Sequence, residues 1–324
     1  MAELAAMSTP AEVSRPRAWL MAARPQTLPA GAAPVVLGTG LAVPDGVLAP
    51  LPALAALVGA LLIQIGTNFA NDYFDARKGT DSPDREGFTR VTAGGLIPPR
   101  RVKVAMGATY ALALLVGLYL VSVGGLPILV VGLSSILAGL LYTGGPYPYG
   151  YYGLGDLFVF VYFGLVAVAG TYYVQAAATL PGAGPFPPGI PPGTVPPASL
   201  LAGLGAAGLT TAILVVNNVR DLEEDRAAGK RTLAVVIGYT WSRVEFVALL
   251  ALSYVVPVVF WLGLGYHPAV LGPLLTLPMA ALITRTVLTR RDGEALNPAL
   301  ERTGQLLALY AGLFAGGLAG PVVV

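Results

Sequence analysis

The sequence predicts an all-α, polytopic membrane protein, and three observations carry that prediction. Of its 324 residues, 55% are hydrophobic and only 11% are charged, against roughly 25% charged in a soluble globular domain. The apolar residues fall into long runs, and a helix needs about 20 mostly apolar residues to cross the hydrocarbon of a bilayer. All 19 lysines and arginines gather at the ends of those runs or between them, in four places only. The 41 glycines and 28 prolines are scattered through the apolar runs, where small residues let helices approach closely.

About nine transmembrane helices are expected, in the order Gln26–Val43, Leu48–Ala70, Val104–Val123, Leu126–Tyr142, Leu157–Leu180, Ala198–Val216, Val244–Leu264, Pro268–Thr289 and Thr303–Val322. Pro29 and Pro34 interrupt the first of them. The first 27 residues are mixed polar and lack a short apolar core before a cleavage site, so the first span is expected to direct insertion itself. The basic residues then set orientation, because cytoplasmic loops carry their excess. Arg15, Arg17 and Arg24 precede span one; Arg77, Lys78, Arg85, Arg90, Arg100, Arg101 and Lys103 lie between spans two and three. Arg220, Arg226, Lys230, Arg231 and Arg243 surround the loop from six to seven, and Arg285, Arg290, Arg291 and Arg302 that from eight to nine. With nine spans all four places share one side, so the N-terminus is expected inside and the C-terminus outside. Residues 181–197 hold eight prolines and four glycines with no charge, which reads as a stiff outer connection. The expected organisation is one membrane domain over 1–324, with 1–25 as a cytoplasmic tail, seated in the cytoplasmic (inner) membrane. The lipid bilayer is its solvent, and no nucleic-acid partner is expected.

There is no cysteine, which excludes disulfides, thiolate metal sites and redox motifs. The one histidine, His267, stands between two apolar runs and reads as an interfacial residue.

Nine of the 17 carboxylates gather in two cytoplasmic loops. The first stretch runs from Asn68 through Asn71, Asp72 and Asp75 to Arg77, Lys78, Gly79 and Asp81; the second runs from Asn217 through Arg220, Asp221 and Asp225 to Arg226, Gly229 and Lys230. On a helix, Asn68, Asp72 and Asp75 share a face, and so do Asn217, Asp221 and Asp225. The same device therefore occurs twice, each time at the cytoplasmic end of a span. Two facing carboxylate sets suit Mg²⁺, which binds oxygen ligands through a few carboxylates plus substrate phosphates. The cofactor expected is Mg²⁺, with Asp72, Asp75, Asp221 and Asp225 as its ligands. Asn68, Asn71 and Asn217 would orient carboxylates or phosphate oxygens. Arg77, Lys78, Arg226 and Lys230 would neutralise phosphate charge. Asp84, Glu86, Glu223 and Glu224 read as solvated.

Together these motifs resemble the UbiA superfamily of intramembrane prenyltransferases, over nearly the whole chain. The resemblance implies a helical bundle whose cavity opens at the cytoplasmic side, with both aspartate motifs holding Mg²⁺ and an isoprenyl diphosphate. Further details resemble the bacterial 1,4-dihydroxy-2-naphthoate prenyltransferases: Asp75-x-x-x-Gly79-x-Asp81, Asn217-Asn218-x-Arg220-Asp221, Tyr142-Thr-Gly-Gly-Pro146 leading to Gly155-Asp156, and Ala23-Arg24-Pro25-Gln26. The resemblance implies transfer from polyprenyl diphosphate to 1,4-dihydroxy-2-naphthoate with loss of CO₂. Arg24 and Arg220 are candidate partners for the acceptor carboxylate or the diphosphate. Tyr142, at a span end, is the candidate to face an allylic carbocation, since aromatic faces attract cations. Tyr147, Tyr149, Tyr151 and Tyr152 read equally well as an interfacial belt. Other acceptors (4-hydroxybenzoate, homogentisate, a porphyrin) remain open, as does a transporter, although its carboxylates are expected near the midplane.

Overall fold

The computed structural model describes residues 13–80, 87, 90–180 and 186–320, and all its elements there are helical. Each of the nine expected spans is found. A short helix α1 (Arg15–Ala23) and a 3-10 turn at Pro25–Thr27 lead into α2 (Leu28–Ala42) and α3 (Pro50–Lys78). α4 (Pro99–Leu141) covers the third and fourth spans, and α5 (Gly155–Val159), a π-helical segment (Phe160–Val166) and α6 (Ala167–Thr179) together form the fifth. α7 (Pro197–Arg220), a short α8 (Leu222–Ala227) and α9 (Leu233–Leu264) follow. A 3-10 segment (Pro268–Thr276) with α10 (Leu277–Thr289), then α11 (Gly293–Leu318), complete the set.

Pro50, Pro99 and Pro197 open their helices, where the missing N–H has no partner to lose. At 43 residues α4 would span roughly 65 Å if straight, about twice the hydrocarbon thickness. It bends back at Gly125 (φ 65°, ψ −151°). The Leu126 N–H donates to Pro187 O at 3.1 Å, and the Phe186 N–H to Ser122 O at 3.2 Å. A Cβ on Gly125 would stand 1.8 Å from Pro187 O, so only glycine makes this bend.

Two differences from the sequence reading share a cause. α1 lies in the stretch read as tail, packing Ala18 and Ala22 into a cluster with Phe69 and Tyr73 of α3. α3, α9 and α11 also extend past Ala70, start before Val244 and start before Thr303. Hydropathy registers only the part of a helix inside hydrocarbon, whereas these ends stand in the charged layer and carry the polar residues. α7 is central: 78% of its most apolar stretch is buried, against 17% for α4. Around it Leu209, Phe246, Phe260, Tyr310 and Phe314 form the core with α2, α9 and α11.

Candidate active site

Two helix ends build the site. α3 ends at Gly79 (φ 70°), where the Gly79 N–H donates to Ala76 O and the Thr80 N–H reaches back to Asp75 O at 3.2 Å. α8 ends at Gly229 (φ 74°) with the same pair of bonds, Gly229 N–H to Arg226 O and Lys230 N–H to Asp225 O at 2.8 Å. This is the left-handed glycine terminator. In each motif the aspartate four residues before the glycine therefore sits in the last helical turn, and the chain folds back over it. At α8 the fold-back brings Lys230 Nζ to 3.3 Å from Asp225 Oδ1.

All four motif aspartates are buried, at 2% exposure for Asp72 and Asp75, 1% for Asp221 and 6% for Asp225. Each is held by protein donors. Asp72 Oδ2 accepts from the Thr92 N–H at 3.0 Å and from the Thr92 hydroxyl. Asp75 Oδ1 accepts from the Tyr151 hydroxyl at 2.7 Å, and Arg90 lies 3.9 Å from its other oxygen. Arg220 forks onto Asp221, Nε to Oδ1 at 2.7 Å and a terminal nitrogen to Oδ2 at 2.9 Å. Asn217 and Asn297 oxygens, each at 2.9 Å, complete the cradle of that guanidinium.

Tyr151 ties the motifs together. Its hydroxyl holds Asp75, its ring faces Lys78 Nζ at 4.7 Å and Lys230 Nζ at 5.5 Å, and its carbonyl accepts the Arg231 N–H at 3.2 Å. Lys78 also donates to Thr143 O at 2.6 Å, and the Thr143 hydroxyl donates to Asn71 Oδ1 at 3.0 Å. Such cation–π contacts fix ammonium groups while leaving their hydrogens available to an anion.

From this charged mouth a cavity of about 360 Å³ runs between α2, α3, α4 and α5–α6. Of the residues singled out in the sequence, Arg24, Asn68, Asn71, Asp75, Tyr142, Asn217, Arg220 and Lys230 line it, together with Arg90. Asp221 and Asp225 are buried against two of those lining cations. Deeper, the lining turns apolar, with Ile63, Leu118, Ile128 and Val174 among others. Tyr142, Tyr149, Phe158 and Tyr162 line one side as a row of rings, with Tyr142–Tyr149 centroids at 5.4 Å and Tyr149–Phe158 at 4.1 Å. Burial pushes the Tyr149 phenol, in the loop after α4, above its ordinary range, so it stays neutral.

Two expected phosphate partners are placed elsewhere. Arg226 is exposed and pairs with Glu223 at 2.6 Å, because one turn of α8 carries both on its solvent face. Arg77 is exposed and donates to the Tyr73 hydroxyl at 3.2 Å. Tyr147 and Tyr152 are also exposed. Asp81, Asp84 and Glu86 lie outside the described residues. The sequence did not single out Thr92 or Asn297, and left Tyr151 open between the charged mouth and an interfacial belt. Thr92 and Asn297 sit far along the chain from their partners, Asp72 and Arg220, and nothing in their local pattern marks them.

The residues present fit Mg²⁺. The donors are buried carboxylates and amides, the sequence has no cysteine, and its histidine lies between α9 and α10, beyond the apolar spans. Among the described residues no three carboxylates converge into a ready-made cage.

Comparison with known proteins places the chain in a family. Residues 32–310 match the model of the UbiA prenyltransferase family. The chain is 39% identical to the 1,4-dihydroxy-2-naphthoate octaprenyltransferase of Escherichia coli (strain K12), over 91% of this chain and 92% of that protein. It is 38% identical to the Mycobacterium tuberculosis protein of the same name, over 93% and 96%. In fold it is similar to a UbiA homolog from Archaeoglobus fulgidus solved bound to DMAPP and Mg²⁺, at TM-score 0.58 and 16% identity, covering 91% of this chain and 98% of that one. A family model spanning most of the chain, the paired aspartate motifs and the all-helical fold lead to one statement: the chain belongs to the UbiA prenyltransferase family.

Proposed function

We propose that this protein transfers a polyprenyl group from polyprenyl diphosphate to 1,4-dihydroxy-2-naphthoate, with loss of the acceptor carboxylate as CO₂, giving the demethylmenaquinol of menaquinone biosynthesis. The observation that carries the reading is the meeting of both aspartate motifs at the charged mouth of one apolar cavity, in a chain whose relatives of 38–39% identity bear that acceptor in their names. Asp72, Asp75, Asp221 and Asp225 would hold Mg²⁺, which supplies Lewis acidity for departure of the diphosphate; the solved Archaeoglobus homolog with DMAPP and Mg²⁺ supports this.

The chain's own residues do the rest. Lys230, Arg220 and Arg90 line the mouth and would exchange carboxylate partners for phosphate oxygens, arginine by bidentate bonding. The apolar cavity takes the prenyl chain and excludes water from the allylic carbon. The ring faces of Tyr142 and Tyr149 stabilise positive charge there. The acceptor carbon bearing the carboxylate attacks the allylic carbon as the carbon–oxygen bond to diphosphate breaks. The carboxylate then leaves as CO₂, and its electron pair restores the aromatic ring.

The protein is an integral membrane protein, and the gathering of its basic residues at one end supports a place in the cytoplasmic membrane with the site and the N-terminus inside. The decisive experiment supplies purified protein with a polyprenyl diphosphate, Mg²⁺ and acceptor labelled at the carboxyl carbon. One labelled CO₂ per diphosphate is expected. A product that keeps the label, or a preference for 4-hydroxybenzoate, removes the naphthoate assignment.

A further inference from the structure

Gln64 lies on α3, four residues before Asn68 and eight before Asp72, on the same face of the helix. It is 7% exposed and lines the cavity, among Ala56, Gly59, Ala60 and Ile63. At 1.5 Å rise per residue it stands about 6 Å deeper than Asn68 and about 12 Å deeper than Asp72. A lone amide at that depth has to be satisfied by something.

Its orientation follows from its neighbours. The Thr27 hydroxyl donates its one proton to Arg24 O at 2.9 Å. The Thr27 oxygen can then only accept, and it receives Asn68 Nδ2 at 3.0 Å and Gln64 Nε2 at 3.1 Å. Asn68 Nδ2 also donates to Ala23 O at 2.9 Å. With the Thr27 hydroxyl proton on Arg24 O, the Gln64 NH₂ lies on Thr27 and its oxygen faces away. Gln64 Oε1 is left buried without a hydrogen-bond partner among the described residues. The site therefore offers one unpaired acceptor, one turn below Asn68, and it calls for a donor.

Of the two substrates, the prenyl chain has no donor and the diphosphate belongs at the cations of the mouth. The aromatic acceptor has hydroxyls. The hydroxyl adjacent to its carboxylate is engaged intramolecularly, as in any ortho-hydroxy acid, and the distal hydroxyl is free. We propose that Gln64 Oε1 accepts the hydrogen bond of that distal ring hydroxyl, so that the ring lies with its carboxylate toward the basic mouth and its far edge on α3. This assignment rests on the naphthoate reading above and adds the orientation of the ring.

The test compares 1,4-dihydroxy-2-naphthoate with 1-hydroxy-2-naphthoate, which lacks the distal hydroxyl, in wild type, Gln64→Met and Gln64→Glu, using geranylgeranyl diphosphate and Mg²⁺. The quantity read is the ratio of kcat/KM for the two acceptors; comparing that ratio between variants cancels the intrinsic reactivity of the rings. Gln64→Met should lower the preference for the dihydroxy acid by about tenfold or more, with KM for the diphosphate unchanged. Gln64→Glu, which keeps an acceptor oxygen, should restore most of it. Should Gln64→Met fail to fold, Thr27→Val, which releases the amide from its anchor, should lower the preference severalfold. An undiminished preference in Gln64→Met, or in Thr27→Val when that variant stands in, overturns the inference while leaving the naphthoate reading intact. A wild type that prenylates neither naphthoate overturns both.

Discussion

In the first motif, Asp72 and Asp75 ride one continuous helix and are gripped chiefly by neutral donors, Thr92 and the Tyr151 hydroxyl. In the second, Asp221 stands at the junction of α7 and α8 with Asp225 inside α8, and they are gripped by Arg220 and Lys230, cations from their own segment. Both pairs precede a left-handed glycine, so the local chain logic is shared. What differs is how buried negative charge is satisfied. Neutral donors can serve a carboxylate or its amide equally, whereas a buried cation is costly once its counter-charge is gone. The two motifs should therefore match in catalysis and diverge in stability.

The largest effect expected is on turnover. Asp72→Asn, Asp75→Asn, Asp221→Asn and Asp225→Asn should each lose about a hundredfold or more, the scale for removing a preorganised charge-stabilising group. Excess chelator should abolish activity and Mg²⁺ restore it. Near wild-type turnover in any one of the four, or full turnover in chelator, would separate that carboxylate or the metal from the chemistry.

Stability should then distinguish the motifs. Asp221→Asn leaves the buried Arg220 guanidinium short of its carboxylate and should cost about 3 kcal/mol or more, read as a fall in the thermal midpoint of detergent-purified protein. Asp72→Asn, whose amide oxygen can still accept from Thr92, should cost about 1 kcal/mol or less. Equal midpoints would mean that the Arg220–Asp221 fork is not what holds this end of α7.

A finer probe is the residue common to both. Tyr151→Phe removes the hydroxyl from Asp75 and keeps the ring beneath Lys78 and Lys230, whereas Tyr151→Leu removes both. The first should raise KM for the diphosphate a fewfold, and the second about tenfold, since each cation–π contact is worth about 1 kcal/mol. Identical kinetics in the two variants would leave the ring without a role.

The last comparison concerns the shared terminator. Gly79→Ala and Gly229→Ala place a side chain at positive φ, at a cost of about 1–2 kcal/mol each. Neither added Cβ meets another atom within 4 Å, so backbone strain alone sets the loss, and the two should agree. A much larger fall at one glycine would reveal a packing demand there that the other motif does not share.

Much of this molecule was legible before any coordinates. Hydropathy located nine spans because a bilayer demands unbroken apolar length, and basic residues marked one end because they avoid hydrocarbon. The paired Asn…Asp…Asp…Gly pattern marked both halves of the candidate site, since helical spacing alone puts those side chains on one face. Partners from distant segments were not legible. Thr92 meets Asp72 from 20 residues away, Tyr151 meets Asp75 from 76, and Asn297 meets Arg220 from 77. Basic residues near a motif also looked equivalent, yet Lys230 turns inward and Arg226 outward. That choice depends on the phase of a single turn of α8 and on where Gly229 reverses the chain.

The sequence by itself determined the fold class, the number of spans and the two aspartate motifs, because each depends on composition or on neighbours a few residues apart. Tertiary structure alone decided which cations enter the cavity, which donors hold each carboxylate and which way the Gln64 amide points. Those outcomes depend on donors and acceptors that meet only when α1, α3, the loop after α4, α8 and α11 converge at one end of the bundle, and each of them can make only the bonds its neighbours leave open.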